Sequence, residues 1–268
     1  MNAKGIADDS PLAGQHALVT GGNRGIGAAI VLQLLRLGAD ITISGRDRAR
    51  LTASAADLTG RYPARKVAAV VIDVADAASV ATGSAEAAAA LGAVTILVNN
   101  AGIAKAAPFG KTDLSFWDDI LRTDLTGPFL CAKAVLPGML RAGFGRIVNI
   151  ASTAGLTGLA YCSAYCAAKH GLVGLTRSLA RELAKTPVTV NAVCPGYTNT
   201  AIVDGTIANI TAKTGRSRDE ALADLVAQNP QGRLIEPEEV AAAVGWLCLP
   251  ASASITGQSI AVAGGELM

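Results

Sequence analysis

The sequence predicts an α/β fold, a doubly wound parallel sheet of about seven strands flanked by helices. Three observations carry this. Short β-rich runs alternate with longer Ala/Leu-rich stretches along the chain. The runs are continuously apolar rather than alternating, as strands buried on both faces are. Strand–helix–strand order with right-handed crossovers makes neighbouring strands parallel.

The strand runs cover 17–20, 41–44, 67–72, 95–98, 146–150, 188–193 and 259–262. Helical patterns lie between them at 25–37, 48–58, 75–91, 116–140, 164–184 and 238–247. No linker or composition break divides residues 1–268, so one domain is expected, with a core from about 15 to 265. Residues 197–235 interrupt the alternation with two amphipathic-looking segments, 201–214 and 219–228. A strandless stretch that long in a compact domain is usually functional, and it reads as a helical substrate lid. Ligands in such sheets sit at the carboxyl ends of the strands, so chemistry is sought just after each run.

Composition narrows the function classes. The chain is 51% hydrophobic and 16% charged, with 53 alanines and 29 glycines, which excludes a disordered chain. A net charge of +2 gives no broad field for nucleic acid or an anionic membrane. The most apolar run, 87–98, contains Gly92 and Thr95 and falls short of the roughly 18–20 residues that span a bilayer. Residues 1–11 are polar, so no secretory signal is expected. Cys131, Cys162, Cys166, Cys194 and Cys248 form no C-x-x-C pair, and only His16 and His170 are present. Neither a disulfide framework nor a metal site is expected, and reduced cysteines fit a cytoplasmic location.

The first run ends in Thr20-Gly21-Gly22-Asn23-Arg24-Gly25-Ile26-Gly27 and then enters a helix. Gly21 permits the tight turn, Gly25 lets backbone amides approach a pyrophosphate, and Gly27 allows close helix–strand packing. The helix N-terminus adds partial positive charge. Strand before and helix after make this a dinucleotide-binding turn of Rossmann type.

Thr-Gly-x-x-x-Gly-x-Gly resembles the short-chain dehydrogenase/reductase family, and other family motifs follow in order. Asp73-Val74 resembles its adenine-contacting pair, and Asn99-Asn100-Ala101-Gly102 its Asn-Asn-Ala-Gly. Tyr165-x-x-x-Lys169 resembles its catalytic pair, with Ser152 thirteen residues upstream. Pro195-Gly196 and Thr200 resemble the loop that receives the nicotinamide carboxamide. The resemblance implies an oxidoreductase that passes hydride between a nicotinamide dinucleotide and a ketone or secondary alcohol. The cofactor set it implies is Gly21, Asn23, Arg24, Gly25, Ile26, Gly27, Arg46, Asp73, Val74, Asn100, Ala101, Gly102, Tyr165, Lys169, Pro195, Gly196, Thr198 and Thr200.

NAD-specific sites place a carboxylate at the end of the second strand. Here that strand runs into Gly45 and Arg46, and Arg46 or Arg24 suits a 2′-phosphate. NADP(H) is therefore the expected cofactor, with NAD(H) as the alternative. Asp47 lies where the NAD rule looks for an acid, but it reads as the N-cap of the next helix.

Tyr165 and Lys169 stand four apart and share a helix face. Lowering a tyrosine pKa by about 3 units requires about 4 kcal/mol, which one cation about 4 Å away supplies at intermediate dielectric. Tyr165 is then the general acid/base, with Ser152 fixing the carbonyl oxygen. Asp124 departs from the family, which usually carries asparagine there. That asparagine supports a helix kink and a water-linked proton path to the lysine. An ionised Asp124 offsets part of the effect of Lys169 and raises the apparent pKa for oxidation. It also leaves open a non-catalytic regulatory or scaffolding relative.

The lid, with Ala154, Tyr161 and Tyr197, frames a small apolar pocket. Within the family, residues 150–155 and 191–196 look most like 3-oxoacyl-thioester and polyketide ketoreductases. Lys213, Arg216 and Arg218 are candidates for the phosphates of a CoA or carrier-protein arm, although solvated basic residues on an exposed turn are the simpler reading. The resemblance also implies a homotetramer built through the 116–140 and 164–184 helices.

Overall fold

The computed structural model describes residues 10–267, and the side chain of Lys213 lies outside the described residues. The N-terminal stretch read as signal-free lies outside them up to residue 9. Seven strands form one sheet: β1 His16–Thr20, β2 Asp40–Gly45, β3 Val67–Val71, β4 Ile96–Asn99, β5 Gly145–Ile150, β6 Val188–Pro195 and β7 Ser259–Val262. Their order is β3-β2-β1-β4-β5-β6-β7, and every pairing is parallel. The chain reverses its direction of travel across the sheet between β1 and β4, which makes that junction the switch point where such sheets bind ligands.

The helices are α1 Gly25–Arg36, α2 Arg48–Arg61, α3 Ala77–Leu91, α4 Leu114–Leu121, α5 Gly127–Ala142, α6 Ser163–Glu182, α7 Ala201–Thr214, α8 Arg218–Val226 and α9 Pro237–Cys248. Alternate strand residues bury on opposite faces. Ala17, Val19, Ile96, Val98, Val148 and Ile150 pack into the layer beneath α1 and α9. Leu18, Leu97 and Ile147 pack into the layer beneath α3 and α5. Each such aliphatic side chain contributes roughly 1.5–3 kcal/mol of burial. This two-sided burial explains the unbroken apolar runs.

Capping sets several helix starts. The side chains of Asp47, Asp76 and Asp113 accept the backbone N–H groups of Arg50, Ala78 and Phe116. Asp76 explains why α3 begins at Ala77 rather than at residue 75. The long helix expected at 116–140 is two helices joined by a π-turn, Arg122–Thr126, with Pro128 following in the first turn of α5. Such wide turns interrupt helices at functional sites, and Asp124 is buried inside this one.

The 197–235 segment carries α7 and α8, whose Val203, Ile207, Ala221 and Leu225 form a small apolar cluster with Tyr197 and Leu234. A short parallel bridge between Thr198 and Ile235 closes its base.

Candidate active site

The glycine turn sits at the switch point. Gly21 and Gly25 have φ of +64° and +51°, where a side chain is strained. A Cβ on Gly27 would stand 2.2 Å from the Gly21 carbonyl oxygen and 2.5 Å from Asn100 Nδ2. No side chain caps α1, whose N-cap residue is Arg24. Its first N–H groups therefore face the cradle without an internal acceptor. Asn100 Nδ2 donates to the carbonyls of Thr20 (2.9 Å) and Gly21 (3.2 Å). Thr20 Oγ1 in turn accepts the N–H groups of Asn100 and Ala101, each at 3.0 Å. Sequence reasoning left Thr20 out, although it is the first residue of the glycine motif.

Gly45 ends β2, and a Cβ there would make only ordinary contacts, 3.7 Å from Leu51 and 3.9 Å from Asn23 Oδ1. Arg24 and Arg46 are exposed, and neither has an ion-pair partner among the described residues. Asp47 is committed to capping α2 and pairing with Arg50 at 3.1 Å. Asp73 Oδ1 accepts the N–H of Ala75 at 3.0 Å, and Val74 packs against Gly127. The loop after β6 comes back over the turn, so that Thr200 Cγ2 lies 3.4 Å from the Cβ position of Gly25. Thr198 Oγ1 donates to the Gly196 carbonyl at 3.0 Å. A bent backbone cradle and an uncapped helix end fit a nicotinamide dinucleotide.

Beyond the cradle, Ser152 caps the short turn Thr153–Gly155 after β5. Lys169 Nζ donates to the Ile150 carbonyl at 3.0 Å and lies 3.3 Å from Asp124 Oδ2. The same ammonium is 5.5 Å from the centre of the Tyr165 ring, and Ser152 draws the Tyr165 hydroxyl pKa down. Gly155 lets this turn sit on α6, because a Cβ there would meet the Lys169 carbonyl at 2.8 Å. The structure thus brings Ser152, Tyr165, Lys169 and Asp124 together.

Electrostatics alters one expectation. Burial pushes the Tyr165 hydroxyl above the ordinary tyrosine value; Lys169 and Ser152 pull it down, while Asp124 pushes it further up. Burial outweighs the pull of Lys169 in the protein by itself. Burial also raises the Asp124 carboxyl against the pull of Lys169. Burial disfavours the Lys169 ammonium, but Asp124 and Tyr165 outweigh it and hold its pKa above the ordinary lysine value. Asp124 Oδ1 accepts the Ile103 N–H at 2.9 Å, whereas Oδ2 relies on the ion pair.

The candidate pocket residues separate. Tyr197 is half-buried beside Tyr165, while Tyr161 is 68% exposed with φ of +64°. The Tyr161 carbonyl accepts the Ala107 N–H at 2.9 Å, tying two loops together over this end of the sheet. Ala154 lies in the Thr153–Gly155 turn and has no exposed surface. Arg216 pairs with Asp224 and Arg218 with Asp204, both on the exposed surface. The cysteines are free thiols. Burial pushes Cys131 and Cys248 up to about 12 and Cys194 to about 11, which makes them poor nucleophiles. No helix among the described residues is long and apolar enough to cross a membrane.

Known proteins agree with this geometry. The family model for short chain dehydrogenase matches residues 15–211. The chain is 39% identical over 262 residues to a 3-oxoacyl-acyl-carrier-protein reductase, FabG, of Pseudomonas aeruginosa, covering 96% of this chain and 99% of that one. It is 40% identical over 253 residues to cis-4-hydroxycyclohexanecarboxylate dehydrogenase of Sinomonas cyclohexanicum, covering 93% and 95%. Among solved structures, an actinorhodin polyketide ketoreductase variant with NADPH superposes with a TM-score of 0.89 at 36% identity, covering 94% and 97%. With its family model and its relatives in agreement, this chain belongs to the short-chain dehydrogenase family and is an oxidoreductase.

Proposed function

We propose that the protein is an NADP(H)-dependent reductase of ketones, reversible as a secondary-alcohol dehydrogenase. One observation carries this: Ser152, Tyr165 and Lys169 converge at the carboxyl end of β5, and Lys169 is anchored to the carbonyl of Ile150. The dinucleotide, when bound, supplies or accepts hydride and in its oxidised form adds positive charge beside Tyr165. Gly21, Gly25 and Gly27 bind its pyrophosphate, and Arg24 and Arg46 its 2′-phosphate. Asp73 and Val74 flank the adenine; Asn100, Ala101 and Gly102 line the strand end; Pro195, Gly196, Thr198 and Thr200 receive the carboxamide. Ser152 holds the substrate oxygen, and Tyr165 donates its proton to that oxygen in reduction and removes it in oxidation. Lys169 stabilises the resulting phenolate, and Asp124 restrains that stabilisation.

Small apolar ketones and 3-oxoacyl thioesters are the favoured substrates, supported by the pocket wall at Tyr197 and by relatives named for 3-oxoacyl reduction. A ring alcohol bearing a carboxylate is the second reading, favoured by the cyclohexanecarboxylate relative. A non-catalytic scaffold is disfavoured because Asp124 keeps Lys169 paired and in place. Exposed Phe129 and Leu140 on α5 support a homotetramer, for which light scattering at four times the chain mass is the check.

Tyr165→Phe tests the enzyme reading. It is expected to lower kcat by about 10²–10⁴-fold while NADPH binding, followed by fluorescence, persists. A variant that turns over like the wild type sinks the reading.

A further inference from the structure

We infer that Glu266 makes this site selective for ketones that carry no negative charge near the reacting carbonyl. The inference rests on the ketone reading above and names the substrate class within it.

After β7 the chain turns through Gly264 and Gly265, both left-handed at φ +60° and +96°. The Glu266 N–H donates to the Ala263 carbonyl at 3.1 Å. That double turn returns Glu266 to the carboxyl end of the sheet, among the segments that follow β5 and β6. A Cβ on Gly196 would stand 2.9 Å from Glu266 Oε2, so the carboxylate occupies space that only glycine leaves open. Thr153, next to Ser152, draws the carboxyl pKa of Glu266 down against the push of burial. Both Glu266 and Tyr165 push the Tyr197 hydroxyl pKa up, beyond the effect of burial.

No cation among the described residues pairs with this group, and the ammonium of Lys169 is engaged by Asp124. The site therefore presents one uncompensated carboxylate to whatever lies between Thr153 and Tyr197. A neutral acyl chain meets no opposing charge there, whereas a carboxylate meets like charge. Repulsion between unit charges about 6 Å apart at an effective dielectric near 20 is about 100-fold in binding. Partial solvent access reduces this to about tenfold.

The test uses the protein saturated with NADPH and a matched pair of probes, 3-oxohexanoate and 3-oxohexanamide. Dissociation constants come from NADPH fluorescence in the Tyr165→Phe background, where NADPH is not consumed, for native Glu266, Glu266→Gln and Glu266→Asp, and amide turnover is read alongside in the same proteins with Tyr165 intact. The wild type is expected to prefer the amide. Glu266→Gln shifts the ratio about tenfold toward the carboxylate, and Glu266→Asp, which keeps the charge, retains the wild-type preference. An equal ratio in wild type and Glu266→Gln overturns the inference, as does an equal shift in both variants, which marks a structural role. Absence of amide turnover refutes the ketone reading while the binding ratio still decides on Glu266. Failure of the wild type to bind either probe overturns both.

Discussion

Asp124 Oδ2 stands 3.3 Å from Lys169 Nζ, with both side chains almost wholly buried. The lysine beside the candidate general acid is therefore already half of an ion pair. Asp124 works against the Tyr165 phenolate that Lys169 favours, so Asp124→Asn is expected to lower the apparent pKa for alcohol oxidation. An unmoved pH–rate profile refutes the coupling. Removing the side chain altogether leaves a buried ammonium short of a partner, and Asp124→Ala is expected to cost about 3–5 kcal/mol in denaturant unfolding.

Under the NADP(H) proposal, cofactor choice falls to the end of β2. Arg46→Glu is expected to lower the ratio of kcat/KM for NADPH over NADH by about 10–100-fold, the worth of a charged phosphate contact. Arg24→Ser provides the comparison. A ratio moved only by Arg24→Ser transfers the 2′-phosphate to the glycine turn, and a ratio moved by neither removes the NADP assignment.

Two glycines make opposite predictions. Gly27→Ala drives a methyl into the Gly21 carbonyl and Asn100. It is expected to abolish NADPH binding and to cost about 1–3 kcal/mol through overpacking. Gly60 lies in α2 with nothing within 4 Å of its Cβ position, so Gly60→Ala is expected to add about 0.5 kcal/mol. Calorimetry of both variants decides; a silent Gly27→Ala means the turn yields more than its geometry allows.

His16 links stability to pH at the other end of the sheet. Its Nδ1 meets the Gly92 carbonyl at 2.9 Å and its Nε2 the Thr42 hydroxyl at 2.8 Å, which suits the neutral ring. Burial holds its pKa below the ordinary histidine value. As pH falls below about 6.5 the unfolded chain takes up the proton first, so stability drops by up to ~1.4 kcal/mol per pH unit. The loss continues until the native ring also titrates. Denaturation midpoints at pH 7.5 and 5.5 are expected to fall further in wild type than in His16→Gln. Identical falls dismiss the role.

The seven strands, the glycine turn and the Tyr165–Lys169 pair were legible in the sequence because each depends on local or periodic rules. Continuous apolar runs mark strands covered on both faces, glycines mark turns with positive φ, and i, i+4 spacing places two side chains on one helix face. Asp47 as a helix cap was legible for the same reason, since its partner lies three residues on. The interruption at Arg122–Thr126 was not, because no helical period announces a π-turn. The direction of the Tyr165 shift, the seclusion of Ala154 and the delivery of Glu266 beside Gly196 are decided by tertiary structure alone. Each depends on how far groups distant in sequence are desolvated and brought together, and that is a property of the packed molecule rather than of any segment.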